Sequence, residues 1–461
     1  MNLVFVGTHS SQSTGYAAVT RRLTRELAAL GSRVHVFGVQ GVTGALEVDA
    51  AMTWALEVDA ARIERTAGVE EGGFYFSGLR HFVDARAADV VVLYNDPVVI
   101  RGYLDALGGG PSAGGSDRVK SGAARVYVYL DLVYDSPLEV HWSTVAHPLV
   151  AGIMVMSECW KRELAKWPVR LAPVMVVPHA ADVAIVPDAR RSLGWDAPTT
   201  TPSEIGKDAV VFANLNRNTP RKRLDLYATA AVRVLARNVK DERCVDAVFL
   251  ASSTLDSTFD LHSVARRELV GLGVPPECHV DILDRIRINR VVLSDAVVAA
   301  VHNACDVAVN CAEGEGFGLV PLEAASVGKA VIVSGVGGML DVFSPRVPTG
   351  PPPAVVVPTS AEYFLDSSRD GIGGRARVVD VEDLAKAMEF FLCRENREGY
   401  GGRARDLVRA MPTWADIART VHSFMGCDAR GHEAGGHEAG GHEAGGKRQN
   451  GDDVVRTTSR R

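Results

Sequence analysis

Several features that would assign the chain to a secreted, membrane or metal-bound class are scarce or absent. The seven cysteines are scattered, odd in number and include no Cys-x-x-Cys pair, so neither a disulfide framework nor a zinc site is indicated. No apolar run approaches the roughly 18 residues that span a bilayer. The first residues, MNLVFVGTHS, lack the basic leader and long apolar core of a signal peptide. We therefore expect a soluble, cytoplasmic protein without a transmembrane segment.

Charge of either sign is also not in large excess. The chain has 50 Lys and Arg residues and 56 Asp and Glu residues, which gives a net charge of −6. This balance predicts no nucleic-acid partner. Any anion-binding site must therefore be built locally, from a few placed cations and from helix N-termini.

The length of 461 residues predicts two domains. Short apolar runs alternate with amphipathic segments in both halves, a pattern typical of Rossmann-like α/β domains with parallel strands joined by helices. We predict one domain over 1–187 and a second over 208–409, joined by a linker over 188–207. An amphipathic helix is predicted over 410–427. The tail over 428–461 is rich in Gly and His, has almost nothing apolar to bury, and is predicted to be disordered.

The predicted strands are short and mostly apolar throughout. In the first half they are Leu3–Val6, Val34–Phe37, Val90–Tyr94, Val126–Leu130, Ile153–Met156 and Val174–Val177. In the second half they are Asp208–Asn214, Ala247–Ala251, His279–Ile282, Val307–Cys311, Ala330–Val333 and Ala354–Val357. Helical spacing of apolar residues predicts helices over Tyr16–Leu30, Leu224–Arg237 and Pro321–Val327.

The stretch that follows the strand Val307–Cys311 carries the strongest functional signal. From residue 313 it reads EGEGFGLVPLEAASVGKAVI, a glycine-rich turn and then a helix that Pro321 is predicted to start. Glu315 and Glu323 place two carboxylates around one cleft, and a carboxylate suits a vicinal diol. Stabilisation of the helix dipole is the alternative role for these glutamates. The main-chain amides expected to bind a phosphate at this helix N-terminus are those of Gly316, Phe317, Gly318 and Leu319.

A basic segment, FANLNRNTPRKRLD, covers residues 212–225 at the end of another predicted strand. It lies at the same sheet edge as Glu315, because the carboxyl ends of parallel strands gather at one edge. Arg217 and Lys222 are predicted to bind a diphosphate and to stabilise the charge that grows on it as it leaves. A solvated basic helix start is the alternative, but it is unfavourable beside the positive end of a helix dipole.

These segments resemble the family 4 glycosyltransferases (glycosyl transferases group 1), a retaining group with the GT-B fold. EGFGLVPLEAASVGKAVI resembles the Glu-x7-Glu signature of that family. NRNTPRKRLD resembles its phosphate-binding Arg/Lys segment, although Asn216 stands where some relatives place the arginine. VPHAAD, at 177–182, resembles its interdomain Pro-His-Gly-x-Asp element, with Ala180 in place of the glycine. The resemblance covers most of residues 1–425 and is strongest over 212–341.

The resemblance implies two Rossmann-like domains that face each other across a cleft, with the final helix crossing back onto the first domain. It implies transfer of a sugar from a UDP- or GDP-linked donor to a hydroxyl of a carbohydrate, glycan or lipid-linked acceptor, with retention of configuration. Glu323 would then hold the ribose hydroxyls and Glu315 the transferred sugar, while Arg217 and Lys222 would hold the diphosphate. No Asp-x-Asp motif occurs in the chain, so we expect neither a metal nor another cofactor.

The first half contributes further candidates. Asp131 follows a predicted strand at the cleft and is a candidate catalytic residue, although a strand-end aspartate is often a turn or cap residue. Gly15 opens a helix that points into the cleft, and His9 lies in the loop before that helix. Both are predicted to lie on the acceptor side.

Two other classes of function remain open at this point. A GT-B sugar phosphorylase or a nucleotide-sugar epimerase would use a similar cleft, and product analysis distinguishes them from a transferase. A non-catalytic sugar-nucleotide-binding or scaffold protein would keep the fold without the chemistry. The presence of Arg217, Lys222, Glu315 and Glu323 together argues against that last alternative.

Overall fold

Short apolar runs of the sequence become the strands of two parallel sheets. The computed structural model describes residues 1–10, 12, 14–40, 73–109, 116–135, 138–195, 205–206, 208–240, 246–252, 258–344, 350–365 and 373–427. Within these residues, each of the two sheets has six strands. The prediction of two Rossmann-like α/β layers is therefore confirmed, whereas the exact domain boundaries remain a prediction.

The first sheet has the strand order β2-β1-β3-β4-β5-β6. Its strands are β1 (Asn2–Thr8), β2 (Arg33–Val39), β3 (Val90–Asn95), β4 (Arg125–Leu130), β5 (Val150–Val155) and β6 (Val174–Val176). The helices of this half are α1 (Gly15–Ala29), α2 (Phe76–Ala85), α3 (Pro97–Gly108), α4 (Asp117–Lys120), α5 (Glu139–Val145) and α6 (Glu158–Leu164). We call this part the N-terminal half.

The second sheet has the strand order β12-β11-β10-β7-β8-β9. Its strands are β7 (Val210–Asn214), β8 (Ala247–Ser252), β9 (Ile286–Asn289), β10 (Val307–Asn310), β11 (Ala330–Ser334) and β12 (Val355–Val357). A helix α7 (Ala189–Ser192) precedes this sheet, and its other helices are α8 (Leu224–Lys240), α9 (Leu261–Gly271), α10 (His279–Leu283), α11 (Asp295–Ala304), α12 (Leu319–Ser326), α13 (Gly337–Phe343), α14 (Val381–Phe390) and α15 (Arg394–Ala410). We call this part the C-terminal half.

The first βαβ unit shows how local sequence produces this architecture. All residues of β3 and nearly all of β1 are buried, as expected for parallel strands covered on both faces. Helix α1 begins after Thr14, whose hydroxyl accepts a hydrogen bond from the N–H of Ala17 at 3.2 Å. Gly31, with φ +86°, follows its last turn and allows the chain to reverse into β2.

The final helix, α16 (Trp414–Cys427), packs against the N-terminal half. The ring of Phe424 meets that of Tyr127 edge-on, with centroids 5.6 Å apart. The guanidinium of Arg125, on β4, donates to the carbonyl of Met425 at 2.5 Å. The predicted crossing helix is therefore confirmed, and it packs the last described part of the chain against the first sheet.

One predicted strand is wrong. The segment His279–Ile282 lies in helix α10, and the edge strand is β9, which starts at Ile286. The alternation of Val280 and Ile282 suggested a strand, but a 3-10 turn that begins at Pro276 leads the chain directly into the helix. In this helix Ile282 is buried and Val280 is 65% exposed.

An antiparallel hairpin of β13 (Thr359–Leu365) and β14 (Gly374–Val379) was not predicted. It contacts the segment after β4, where the N–H of Arg375 donates to the carbonyl of Asp135 at 3.0 Å. The guanidinium of Arg377 forms an ion pair with the Asp135 carboxylate at 2.6 Å. The apolar residues Ala361, Tyr363 and Leu365, at every second position of β13, were the sequence signal that could have indicated this strand.

Other predictions fall wholly or partly outside the described residues. The predicted disordered tail over 428–461 lies outside them, as do residues 196–204 and 207 of the predicted linker. The described part of that linker contains α7, whose Arg190 forms an ion pair with Asp306 at 2.6 Å. Among the helices that the structure describes, none is both long and apolar enough to cross a membrane.

Candidate active site

The glycine-rich turn between β10 and α12 forms one wall of a cavity between the two halves. Gly318 has φ +96° at the N-cap of α12, a conformation that favours glycine. Helix α12 begins at Leu319, two residues before the predicted start at Pro321. Pro321 is tolerated there because the first main-chain N–H groups of a helix have no intrahelical partner.

The basic segment after β7 meets this turn. Residues Pro220–Lys222 form a 3-10 turn, which places two cations beside Glu315. The ammonium of Lys222 donates a hydrogen bond to the Glu315 carboxylate. Arg221 lies 3.6 Å from the same carboxylate oxygen and donates to the carbonyl of Gly314 at 2.8 Å. Arg217 is exposed and lines the same cavity.

For both Glu315 and Lys222, burial and the neighbouring opposite charge have opposing effects on the pKa. Burial alone would raise the pKa of Glu315, but Lys222 and Arg221 hold it below its ordinary value. Burial lowers the pKa of Lys222 to about 8, against the opposing effect of Glu315. One buried carboxylate thus faces two partly buried cations, and Arg217 adds a third positive charge. The wall formed by the C-terminal half therefore carries a net positive charge suited to an anion.

The wall formed by the N-terminal half is aromatic and acidic. Asp131 directly follows β4, and its main-chain N–H donates to the carbonyl of Asn95 at 3.2 Å. The hydroxyl of Tyr16 donates to Asp96 at 2.9 Å and also interacts with Asp131. Burial raises the pKa of Asp131, and the effect is opposed by Tyr16 and the cations across the cavity. The ring of Tyr94 packs on Tyr16 with centroids 5.2 Å apart.

The main chain of the turn lies close to Asp131. A Cβ atom on Gly316 would stand 2.1 Å from the Asp131 carboxylate, so only glycine fits at this position. The carbonyl of Gly316 accepts a hydrogen bond from the indole N–H of Trp160 at 2.7 Å. These contacts hold the turn of the C-terminal half against the end of β4 in the N-terminal half.

Most of the predicted site residues are brought together by the fold. Those that line the cavity are Gly15, Asp131, Arg217, Lys222, Glu315, Phe317, Gly318 and Leu319. Gly316 lies beside it against Asp131. His9 is not among the lining residues, because it is buried at the end of β1 and packs against Gly38.

Glu323 also lies outside the cavity lining. Its carboxylate is 3.5 Å from the ring of His302 and 3.9 Å from the guanidinium of Arg22 on α1. Arg22 also forms an ion pair with Asp182 at 2.8 Å. In this arrangement Glu323 joins α12 to the N-terminal half, and its predicted contact with ribose remains a prediction.

Several lining residues were not assigned from the sequence. They include Arg221, Tyr16, Tyr94, Met156, His179 and Asn310. Arg221 lies inside the basic segment, but only the fold shows that it contacts Glu315 while Arg217 faces solvent. Tyr16 directly follows Gly15, and His179 lies in the VPHAAD element. The motifs that contain or adjoin these residues were therefore the sequence signals that could have identified them.

Acid is expected to destabilise the protein through His179. Burial lowers the pKa of His179 to about 3, from an ordinary value of 6.5. The unfolded chain therefore binds this proton first as the pH falls, so the free energy of unfolding decreases between about pH 6.5 and 3 and is unaffected by this group at higher pH. Urea unfolding of wild type and His179→Phe at several pH values measures the effect. Equal pH slopes for the two proteins would contradict it.

Solved structures of other proteins share this fold. The fold matches that of sucrose-phosphate synthase from Thermosynechococcus elongatus, with a TM-score of 0.63, 15% identity, and coverage of 93% of this chain and 99% of that one. It also matches Anabaena HepE in complex with UDP and glucose, with a TM-score of 0.59, 12% identity, and coverage of 92% and 99%.

The chain has the GT-B fold. A sequence model of the family described as "Glycosyl transferases group 1" matches residues 291–370, which include the glycine-rich turn. A D-inositol 3-phosphate glycosyltransferase of Geodermatophilus obscurus is 33% identical over 160 residues. That match covers 33% of this chain and 29% of the relative, so the chain is matched over less than a third of the relative's length. The GT-B fold and the resemblance to group 1 glycosyltransferases are therefore confirmed.

Proposed function

We propose that this protein transfers a glycosyl group from a nucleoside diphosphate sugar, UDP- or GDP-linked, to an acceptor hydroxyl with retention of configuration. The observation that carries the proposal is the contact of Lys222 and Arg221 with Glu315 in a cavity between the two halves of a GT-B fold. The cations suit a diphosphate, and the carboxylate suits the hydroxyls of a sugar. The group 1 family match supports the reaction class.

The donor lies on the C-terminal wall in this proposal. The diphosphate contacts Arg217, Arg221 and Lys222 and the main-chain amides at the start of α12, where the helix dipole favours an anion. As the bond from the sugar to the diphosphate breaks, negative charge grows on the leaving group. Fixed cations in a partly buried site stabilise that charge. The protein thereby supplies the positive charge from its own side chains, and we propose that no metal is required.

The acceptor approaches from the N-terminal wall. Asp131 and the hydroxyl of Tyr16 offer polar groups there, and the ring of Tyr94 offers an apolar surface on which a sugar ring can pack. A carbohydrate, a glycan or a lipid-linked sugar can present a hydroxyl to this wall. Asp131 lies beside the turn that carries Glu315, so an acceptor hydroxyl bound by Asp131 is close to the transferred sugar.

Product analysis tests the reaction. We expect incubation with the correct donor and acceptor to release nucleoside diphosphate and to form a new glycoside in equal amounts, with the anomeric configuration of the donor shown by nuclear magnetic resonance. A requirement for inorganic phosphate would identify a phosphorylase, and formation of a free epimer without acceptor would identify an epimerase. Either result would overturn the proposal.

The affinity for nucleoside diphosphate is expected to fall in alkaline solution. Lys222 has a pKa of about 8, so it is charged below that pH and loses its charge above it. Affinity should change little between about pH 7, where the terminal phosphate is mostly ionised, and pH 8, and it should decrease by up to about tenfold per pH unit above that, as expected for one proton. Lys222→Arg keeps its charge throughout this range and should remove the dependence. Titrations of both proteins across this range measure it, and identical profiles would contradict the assignment.

Replacing Glu323 by Ala is expected to weaken binding of nucleoside diphosphate with little effect on folding. A charged hydrogen bond to ribose contributes roughly 1.5–3 kcal/mol, or about 10- to 100-fold in affinity. Inorganic pyrophosphate lacks ribose, so its affinity should be unchanged. Calorimetry with both ligands and thermal unfolding test this prediction. A large loss of stability, with equal effects on both ligands, would show that Glu323 has a structural role with Arg22 and His302.

A further inference from the structure

His179 lies in the cavity wall but has no part in the binding of the diphosphate described above. It follows β6 in the VPHAAD element and is 3% exposed. The chain is fixed on its N-terminal side, where the N–H of Val177 donates to the carbonyl of Val155 at 2.7 Å. The carbonyl of Val177 accepts a hydrogen bond from the hydroxyl of Tyr129 at 2.7 Å. The position of His179 is therefore well defined before any ligand binds.

The surroundings of the His179 ring are aromatic. Its centroid is 5.0 Å from that of Phe317, 5.9 Å from that of Trp414 and 6.0 Å from that of Tyr129. Neither ring nitrogen has a hydrogen-bond partner among the residues that the structure describes. Burying a polar group without a partner is unfavourable, and an apolar side chain would pack in this place without that cost. The unpaired nitrogens therefore point to a ligand that supplies the partner.

The chemistry of the ring limits what that ligand can be. Burial keeps the imidazole neutral at neutral pH, so one nitrogen donates a hydrogen bond and the other accepts one. A hydroxyl group also both donates and accepts, and it matches such a ring better than a phosphate does. The three cations of the cavity already suit the diphosphate. Glu315 and Phe317, which line the cavity with His179, belong to the turn predicted to contact the transferred sugar.

We infer that His179 binds a hydroxyl group of the transferred sugar of the donor. This inference rests on the proposed function, because it needs a nucleotide sugar in the cavity. The assignment makes His179 a determinant of donor specificity: it selects sugars that carry a hydroxyl at the position facing the ring. It acts on the sugar and has no contact with the nucleoside diphosphate.

The matched variants are His179→Phe, which keeps an aromatic ring without hydrogen-bonding groups, and His179→Gln, which keeps a donor and an acceptor. His35→Phe is the control, because His35 is a buried histidine on β2 that does not line the cavity. Calorimetry measures the affinities for the nucleoside diphosphate and for the intact nucleotide sugar. Steady-state kinetics then measures kcat/KM with the natural donor and with a panel of singly deoxygenated donors.

For His179→Phe we expect an unchanged affinity for nucleoside diphosphate and a loss of about 10- to 100-fold in kcat/KM with the full donor. With the wild type, kcat/KM for one of the deoxygenated donors should be lower than for the full donor by a similar factor. With His179→Phe, kcat/KM should be the same for that donor and for the full donor. His179→Gln should recover part of the loss, and His35→Phe should behave as wild type.

Three results would overturn the inference. If kcat/KM of His179→Phe equals that of the wild type with every donor, the inference about His179 fails and the proposed function stands. If the variant loses affinity for nucleoside diphosphate as much as for the nucleotide sugar, His179 has a structural role. If the wild type binds no nucleotide sugar, the proposed function fails and the inference fails with it. Should His179→Phe not fold, the same comparison applies to His179→Gln, whose discrimination among donors must differ from that of the wild type.

Discussion

Replacing Lys222 by Met is expected to lower the rate of glycosyl transfer by about 10²- to 10³-fold, the loss typical of removing one group that stabilises developing charge. Lys222 is a cation in direct contact with Glu315, and Met retains much of its apolar stem. The leaving diphosphate would then be stabilised only by Arg221, Arg217 and the main-chain amides at the start of α12. Steady-state kinetics with saturating acceptor measures the loss.

The same substitution should leave the protein folded. Burial lowers the pKa of Lys222, so its charge is held in surroundings that disfavour it. Glu315 keeps Arg221 at 3.6 Å after the substitution and is not left as an isolated buried charge. Lys386→Met is the control, since Lys386 is an exposed lysine on α14 of the same half. A Lys222→Met enzyme within about threefold of wild type, or one that fails to fold, would contradict this role.

Glu315→Gln is expected to slow glycosyl transfer without weakening the binding of nucleoside diphosphate. The substitution removes the negative charge that competes with a diphosphate for Lys222 and Arg221. Affinity for nucleoside diphosphate should therefore stay equal or increase. Transfer should fall by about 100-fold or more, because a neutral amide replaces the carboxylate that contacts the sugar as positive charge develops on it. Calorimetry and steady-state kinetics on one preparation measure both effects.

Glu313 provides a matched control two residues away. It is buried, and its carboxylate accepts a hydrogen bond from Tyr363 and lies 3.4 Å from Arg223. It does not line the candidate active site. Glu313→Gln should reduce the free energy of unfolding by about 1–3 kcal/mol through these lost contacts, and its effect on turnover should be smaller than that of Glu315→Gln. Equal kinetic effects of the two variants would contradict a specific role for Glu315.

Much of the fold could be predicted because buried parallel strands leave a simple pattern. Runs such as Val90–Tyr94 are apolar throughout, since helices cover both faces of a parallel sheet. Errors appeared where the pattern is ambiguous. Val280 and Ile282 alternate as in a strand but belong to a one-turn helix, and the edge strand β9 is only four residues long. The hairpin β13–β14 packs on a loop of the other half, a long-range contact that local periodicity does not report.

The candidate site could also be predicted only in part from the sequence. The sequence placed Glu315 and the basic segment at one sheet edge, because strand ends determine that position. It did not show which basic side chain faces Glu315, because a 3-10 turn and a residue with φ +52° at Arg223 determine the orientation. The contacts of Glu323 with Arg22 on α1 and His302 on α11 depend on how these two helices lie beside α12, which no local pattern encodes.

The measurement that tests the central proposal most directly is calorimetric titration with UDP, GDP and ADP in the presence of a metal chelator. We expect UDP or GDP to bind to the wild type with a dissociation constant in the micromolar range, and to bind equally well to Lys386→Met. We expect Lys222→Met to bind the same nucleotide at least about tenfold more weakly, as for the loss of a charged contact. Failure of all three nucleotides to bind, or equal binding by the wild type and Lys222→Met, would contradict a donor site at Arg217, Arg221, Lys222 and Glu315.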